Sequence, residues 1–150
     1  MNYFCRIFFL GLLAGVSMPG LCFTCYLTLV KDNCWLDYRV NVDVTNVDTD
    51  TKLFTMVVPE GKKWSRTKFE CQARETFQLQ SSFTPVFWAG DAGKTYPSAR
   101  NWSLPEAVTG GAIAWNINIC YASDFTSVPM PPDASGACHC DLNGVPKVAA

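Results

Sequence analysis

The sequence predicts an all-β fold, an antiparallel β-sandwich of immunoglobulin-like or similar type that is stapled by disulfides. Several short segments alternate apolar and polar residues with a period of two, and turn residues separate them. Six cysteines are spread over residues 25–140, and no segment carries the sustained apolar stripe of a long amphipathic helix. We therefore expect one strand-built domain over residues 23–126 and a proline-rich strap over residues 127–150.

The chain begins with a segment typical of a signal peptide, residues 1–22. Arg6 supplies a positive charge, an uncharged apolar run covers residues 7–16, and a Pro-Gly pair follows at residues 19–20. The run is shorter than the roughly 20 apolar residues that a membrane span needs. We therefore expect cleavage before Phe23 and an exported chain without a transmembrane span, periplasmic or outer-membrane-associated, with free secretion as the alternative.

Two other fates of this N-terminal segment stay open from the sequence. The segment could remain as an uncleaved anchor, or Cys22 or Cys25 could be lipidated. The residues that precede these cysteines, Leu21 and Thr24, do not match the small residue usual before a lipidated cysteine.

The clearest strand prediction covers residues 36–45. Its apolar residues fall on every second position, which places one face in the core and the other in water: Leu36, Tyr38, Val40, Val42 and Val44. A polar turn over residues 46–50 follows. Residues 52–58 are apolar on both phases, which predicts a more buried strand. Pro59-Glu60-Gly61 then signals a turn.

Residues 64–71 and 76–83 predict two further strands, with a short helix over residues 71–77 as the competing interpretation. Residues 86–88 form a short apolar piece, residues 89–93 form a loop, and residues 96–106 are irregular, with two prolines. Gly110-Gly111 opens the last predicted strand, whose inward residues alternate with polar ones: Ile113, Trp115, Ile117, Ile119 and Tyr121.

The strap differs in composition from the predicted strands. The prolines of residues 128–133 exclude a central strand and favour an extended backbone. It ends in Cys138-His139-Cys140 and a short tail. A tail without contacts would not need two cysteines. We therefore expect the strap to be pinned back onto the sandwich.

The cysteines predict three disulfides. Eight are encoded, of which Cys5 and Cys22 lie in the signal-like segment, and the remaining six are Cys25, Cys34, Cys71, Cys120, Cys138 and Cys140. An even number of cysteines in an exported chain is typical of a disulfide framework. Six cysteines allow fifteen pairings, and the sequence does not choose among them. A local Cys25–Cys34 loop and a Cys71–Cys120 bridge across the sandwich are two of the alternatives.

Cys138, His139 and Cys140 also suggest an alternative metal or thiol site, because cysteine and histidine are ligands for zinc and copper. A bond between the two cysteines would need a very tight ring, so we expect them to belong to two different disulfides. A redox pair is usually spaced Cys-x-x-Cys, and no two of the six cysteines that follow the signal-like segment have this spacing. We predict neither a metal nor a cofactor.

The sequence does not favour catalysis. His139 is the only histidine, and it lies between two cysteines expected to form disulfides, whereas a hydrolytic triad needs a histidine beside a nucleophile. No nucleophile-elbow, zinc-protease or phosphate-loop motif occurs. We therefore expect a structural or interaction protein rather than an enzyme.

Trp64, Arg66 and Lys68 share one phase of a predicted strand and form a candidate interaction face. The alternative is that these basic residues guard a solvated edge strand. The net charge of −1 argues against a nucleic-acid partner.

The order of the sequence features along the chain is similar to that in a known group of bacterial proteins. Phe23-Thr24-Cys25-Tyr26 follows the signal-like segment, Cys34-Trp35 comes next, and a β-rich body leads into the cysteine-bearing tail. This layout resembles small periplasmic proteins of Legionella-type bacteria, some of which are accessory subunits of the outer-membrane core of a type IVB (Dot/Icm-type) secretion system. The resemblance covers residues 1–150 and implies protein partners in the cell envelope and a larger assembly. It rests on no motif of known function and implies no site residues.

A different class of function would be a secreted module that binds a glycan or a small ligand. The chain has five tryptophans, and glycine- and proline-containing loops cover residues 90–101. Sandwich proteins commonly place recognition residues on such loops.

Overall fold

The computed structural model describes residues 22–107 and 114–148, in which the chain forms two packed β-sheets. The strands are β1 (Cys22–Lys31), β2 (Arg39–Asn46), β3 (Thr51–Val58), β4 (Trp64–Gln72), β5 (Thr76–Thr84), β6 (Tyr96–Pro97), β7 (Trp102–Ser103) and β8 (Ala114–Tyr121). Short 3-10 helices occupy Asn33–Trp35 and Ala89–Asp91. The prediction of an all-β sandwich is therefore confirmed.

One sheet has the strand order β4-β1-β8, and the other has the order β3-β2-β5-β6 with β7 also beside β5. Neighbouring strands run antiparallel except β1 and β8, which are parallel. The prediction of a purely antiparallel sandwich is wrong at this one pair. Because β1 and β8 are separated by most of the chain, no hairpin imposes an antiparallel direction on them.

The core lies between the sheets and is built from alternate residues of β1, β2, β5 and β8. Each of these side chains is 8 % exposed or less: Cys25, Leu27, Leu29, Val40, Val42, Val44, Phe77, Leu79, Phe83, Ile117, Ile119 and Tyr121. Trp35 closes one end of the core, with its ring 4.7 Å from that of Phe83 and 4.8 Å from that of Tyr121. Each large apolar side chain buried in this way contributes about 1.5–3 kcal/mol.

Two strand predictions need correction. The strand predicted from Leu36 begins only at Arg39, because a 3-10 helix and a turn precede it, and Leu36 is 37 % exposed. The strand predicted to be buried on both phases is β3, which among the described residues pairs only with β2 and so lies at a sheet edge. Leu53 of β3 is consequently 36 % exposed, while Met56 and Val58 are buried.

The helix considered over residues 71–77 does not form. A tight turn joins β4 to β5 instead, with the amide of Glu75 donating to the carbonyl oxygen of Gln72 at 3.3 Å. The Glu75 carboxylate accepts from the amide of Gln72 at 2.9 Å, and Arg74 adopts a positive φ of 66°. Glu75 thus forms hydrogen bonds with both the carbonyl oxygen and the amide of Gln72 and so stabilises the turn.

The segment between β5 and β7 contains more regular structure than the sequence suggested. Residues 86–88 form no strand, but Phe87 packs against Trp35 with ring centres 5.6 Å apart. The segment expected to be irregular contributes β6 and β7 to the larger sheet. The predicted strand opening at Gly110-Gly111, with Ile113, lies outside the described residues.

The predicted signal peptide lies outside the described residues except for Cys22, which begins β1 opposite Gln72 of β4. Within the two described ranges, none of the helices has the length and apolar character required to cross a bilayer.

Candidate interaction surface and the C-terminal strap

All six cysteines of the predicted framework are paired: Cys25 with Cys71, Cys34 with Cys138, and Cys120 with Cys140. The Cys25–Cys34 and Cys71–Cys120 alternatives are wrong. Cys25 and Cys71 both point inward from the neighbouring strands β1 and β4, where their Cα atoms are 5.9 Å apart.

The other two disulfides tie the strap to the sandwich at two places. Cys138 is bonded to the 3-10 helix that follows β1, and Cys140 is bonded to β8. Between them, the backbone of His139 donates to the Asn33 side-chain oxygen at 2.8 Å and accepts from the Asn33 amide at 3.3 Å. The strap is thus fixed over three consecutive residues.

These disulfides leave no thiolate at the position considered for a metal or thiol site. The sulfurs of Cys138 and Cys140 are each bonded to another cysteine, and the His139 side chain is exposed. Asp32 lies close to the Cys34–Cys138 pair. Its carboxylate accepts hydrogen bonds from the amides of Cys34, at 2.9 Å, and of Ala122, at 3.3 Å, and so has a structural role in the loop.

The structure places Trp64, Arg66 and Lys68, which we call the basic strip, on the outer face of the smaller sheet. Phe69 packs inward against the larger sheet, with ring centres 5.0 Å from Phe54, so the residues of the other phase of β4 face outward. β4 is an edge strand of its sheet, as the alternative interpretation of these residues also supposed.

Arg66 is the most constrained residue of the basic strip. Its guanidinium carbon lies 5.5 Å from the centre of the Trp64 ring, within the range of a cation–π contact. Its Nε atom donates to the hydroxyl of Thr28 on β1 at 2.7 Å. Lys68 is exposed and lies opposite Tyr26 in the strand register. The strip therefore presents one oriented cation and one solvent-exposed cation beside an aromatic ring.

The end of the strap lies against this strip, which the sequence could not indicate. Arg66 Nη2 donates to the carbonyl oxygen of Pro146 at 2.7 Å. The neighbouring Lys63 donates to the Asp141 carboxylate at 2.8 Å and to the carbonyl oxygen of Asn143 at 3.1 Å. The Asp141 carboxylate also accepts from the amide of Asn143 at 2.8 Å. The hydrogen bond from Lys63 and, after it, that from the Asn143 amide lower the pKa of Asp141 below its ordinary value.

Lys31 is a buried residue that the sequence analysis did not single out. It is 1 % exposed, and its ammonium donates to three backbone carbonyl oxygens, those of Leu36, Tyr38 and Pro59, at 3.0, 2.6 and 2.9 Å. Burial lowers its pKa from the ordinary value to about 8, although nearby carboxylates oppose the shift. Its place at the end of an apolar run, directly before an aspartate, was the available signal. The contacts give Lys31 a structural role.

Trp88 is the tryptophan that the fold leaves most accessible. Its side chain is 66 % exposed, just before the 3-10 helix that begins at Ala89. Trp102, by contrast, is covered by the guanidinium of Arg100, which lies 4.0 Å from its ring centre. Of the tryptophans in and near the recognition loops expected from the sequence, Trp88 is thus the one available for stacking.

The groups of the basic strip are suited to binding a ligand through charge and aromatic stacking. A positioned guanidinium, an ammonium group and an indole ring lie together on a strand that a disulfide fixes to its neighbour. Such groups bind carboxylates and carbonyl oxygens without a chemical step. Comparison of the chain with protein-family models, with curated proteins and with solved structures yields no match.

Proposed function

We propose that this chain is a non-catalytic, exported interaction protein of the cell envelope, and that it docks a protein partner through the basic strip. The observation that carries the proposal is the fixed position of Arg66 between Trp64 and Thr28. A cation that is already oriented loses little side-chain freedom on binding, so more of its interaction energy is available for affinity.

The compartment supports this proposal. Three disulfides are typical of proteins in an oxidising, extracytoplasmic environment. Within such an environment we favour the periplasm or the outer-membrane surface. The resemblance in layout narrows the proposal to an accessory component of a type IV secretion outer-membrane complex.

The test is affinity capture from detergent-extracted envelopes with three forms of the full chain. Lys68→Glu reverses a charge in the basic strip, and Gln78→Glu introduces the same side chain on an exposed position of the opposite sheet. We expect the wild type and Gln78→Glu to capture the same envelope proteins, and Lys68→Glu to lose them. Identical capture by all three forms, or no specific capture by the wild type, would contradict the proposal.

A second candidate function is that of a secreted module for a glycan or a small ligand. The exposed indole of Trp88 favours it, because sugars and other flat ligands stack on accessible aromatic rings. The polar outer face of β5, which includes Gln78 and Gln80, offers amide groups for hydrogen bonding.

A further inference from the structure

We propose that residues 141–148, which we call the tail segment, occupy the binding site of an acidic, extended partner peptide and act as its built-in competitor. The inference rests on the proposed docking role of the basic strip. It adds the chemistry of the partner and a way in which binding is regulated.

The tail segment shows what the surface accepts. It offers the carboxylate of Asp141 and the carbonyl oxygen of Asn143 to Lys63, and the carbonyl oxygen of Pro146 to Arg66. All three groups are hydrogen-bond acceptors, and one carries a negative charge. A partner that replaces the tail segment must therefore present a carboxylate followed within a few residues by accessible backbone carbonyl oxygens.

The tail segment is held loosely. The ion pair between Lys63 and Asp141 is 35 % and 42 % exposed at its two side chains, and pairs of this kind contribute little to stability. None of the residues 141–148 is buried, and Leu142 is 50 % exposed. The last covalent anchor is Cys140. The tail segment can therefore leave without breaking a disulfide.

The surface beneath the tail segment is held by contacts that do not involve it. Arg66 retains its hydrogen bond to Thr28 and its position over the Trp64 ring. The backbone of Lys63 is fixed because its carbonyl oxygen accepts from the amide of Lys31 at 2.8 Å. Departure of the tail segment would thus expose an oriented set of donors beside an aromatic ring.

The charges around this surface select an acidic partner. Lys62, Lys63, Arg66 and Lys68 follow one another within seven residues of the chain, whereas Glu70 comes next on the outward phase of β4. A negatively charged peptide is therefore attracted to the end of β4 that directly follows Lys63 and repelled at the end that carries Glu70.

The test is an NMR titration of the ¹⁵N-labelled protein with a synthetic peptide. The peptide copies the tail segment, with acetylated and amidated ends and with glutamate in place of Lys147, and a matched control peptide carries asparagine in place of Asp141. The proteins are the full chain, a variant that ends at Cys140, and Asp141→Asn in the full chain.

We expect the peptide to bind the variant ending at Cys140 about 10-fold more tightly than the full chain, because a tethered competitor has been removed. Asp141→Asn should show a smaller gain of about 3-fold, because it removes only the ion pair. The shifts should map to Thr28, Trp64 and the Arg66 side chain, and the control peptide should bind more weakly.

Equal affinity of the peptide for the full chain and the truncated variant would overturn the inference, as would shifts confined to another surface. If truncation disturbs the disulfides, which mass spectrometry would reveal, unchanged affinity in Asp141→Asn overturns it instead. These results are separable from the docking function. Loss of envelope capture in Lys68→Glu with no effect of truncation would support docking and reject competition by the tail segment.

Discussion

The ammonium nitrogen of Lys31 lies 2.9 Å from the carbonyl oxygen of Pro59, which connects the end of β1 to the turn between β3 and β4. The same ammonium donates to the carbonyl oxygens of Leu36 and Tyr38, in the segment before β2. One buried cation therefore ties together the two chain segments that pass between the sheets at this end of the sandwich. The Pro59 turn leads directly to Lys63 and the basic strip, so this tie also supports the proposed docking surface.

Replacement of Lys31 by methionine should destabilise the fold by about 2–3 kcal/mol at pH 7, because it leaves three carbonyl oxygens without a buried donor. This loss of unfolding free energy is smaller than the summed contributions of three hydrogen bonds, because the substitution also removes the free-energy cost of burying a charge. Urea unfolding measures the difference. Lys68→Met is the matched control, since Lys68 is exposed, and its effect should stay within about 0.5 kcal/mol. Equal effects of the two substitutions would refute the structural role of Lys31.

The pKa of Lys31 also predicts how stability depends on pH. It is about 8 in the folded protein, below the ordinary value of 10.5. Between these values the unfolded chain binds more protons than the folded one, so the contribution of Lys31 to stability rises with pH. The difference in unfolding free energy between the wild type and Lys31→Met should therefore grow by about 2 kcal/mol from pH 7 to pH 9.5.

The pH window ends at 9.5 for a physical reason. Burial raises the pKa values of Tyr38, Tyr96 and Tyr121, so their phenols ionise first in the unfolded chain and stability falls above that pH. Taking the difference between the wild type and Lys31→Met cancels this common effect. A difference that stays flat or declines over the window would show that Lys31 is not held as a buried cation.

Tyr121 provides a test of the core that separates its ring from its hydroxyl. The side chain is 0 % exposed, and its hydroxyl makes no hydrogen bond of standard geometry among the described residues. Ser81 is the polar side chain that interacts with this hydroxyl, but its own hydroxyl donates to the carbonyl oxygen of Tyr96 at 3.1 Å. Tyr121→Phe should therefore be neutral or stabilise the fold by up to about 1 kcal/mol, because it removes a buried polar group without a well-formed hydrogen bond. Tyr121→Ala should cost about 3–5 kcal/mol, because it leaves a cavity beside Trp35. Thermal unfolding of both variants distinguishes the effects, and a large loss in Tyr121→Phe would reveal a hidden partner of the hydroxyl.

Alternation in the sequence was sufficient to predict the inward faces of β2, β5 and β8. Val42, Leu79 and Ile119 lie on strands whose one face is buried by the opposite sheet, which is the situation that produces a period of two. It failed for β3, because the exposure of Leu53 is set by the absence of a strand neighbour on one side among the described residues. That neighbour relation is a property of the tertiary fold.

The same limit explains what the sequence missed in the candidate site. The disulfide between Cys25 and Cys71 depends on the register of β1 against β4, and a cysteine count carries no register. The phase of Trp64, Arg66 and Lys68 could be read from the chain, but their contacts with the tail segment join residues that are about 80 positions apart. Only the folded chain brings these groups together.

The disulfides of the strap should differ in their effect on stability. Cys34–Cys138 spans 104 residues and Cys120–Cys140 spans 20, and a longer loop restricts the unfolded chain more. Replacing Cys34 and Cys138 with serine should therefore cost about 1.5 kcal/mol more than replacing Cys120 and Cys140. Urea unfolding of the two double variants measures the difference, with the Cys25–Cys71 bond kept intact in both. The reverse order of stabilities would mean that native contacts near Cys140 outweigh the entropy of the unfolded chain.

Trp88 decides between the two candidate functions. Because its side chain is 66 % exposed, Trp88→Phe should leave the unfolding free energy unchanged within about 0.5 kcal/mol. If the chain binds a glycan, titration across a glycan panel should quench the fluorescence of the wild type, and Trp88→Phe should lose that response. Trp102→Phe is the control, since its ring is covered by Arg100 and cannot stack on a ligand without displacing it. Flat titrations of the wild type, together with envelope capture that Trp88→Phe retains, would reject the glycan module and leave docking through the basic strip.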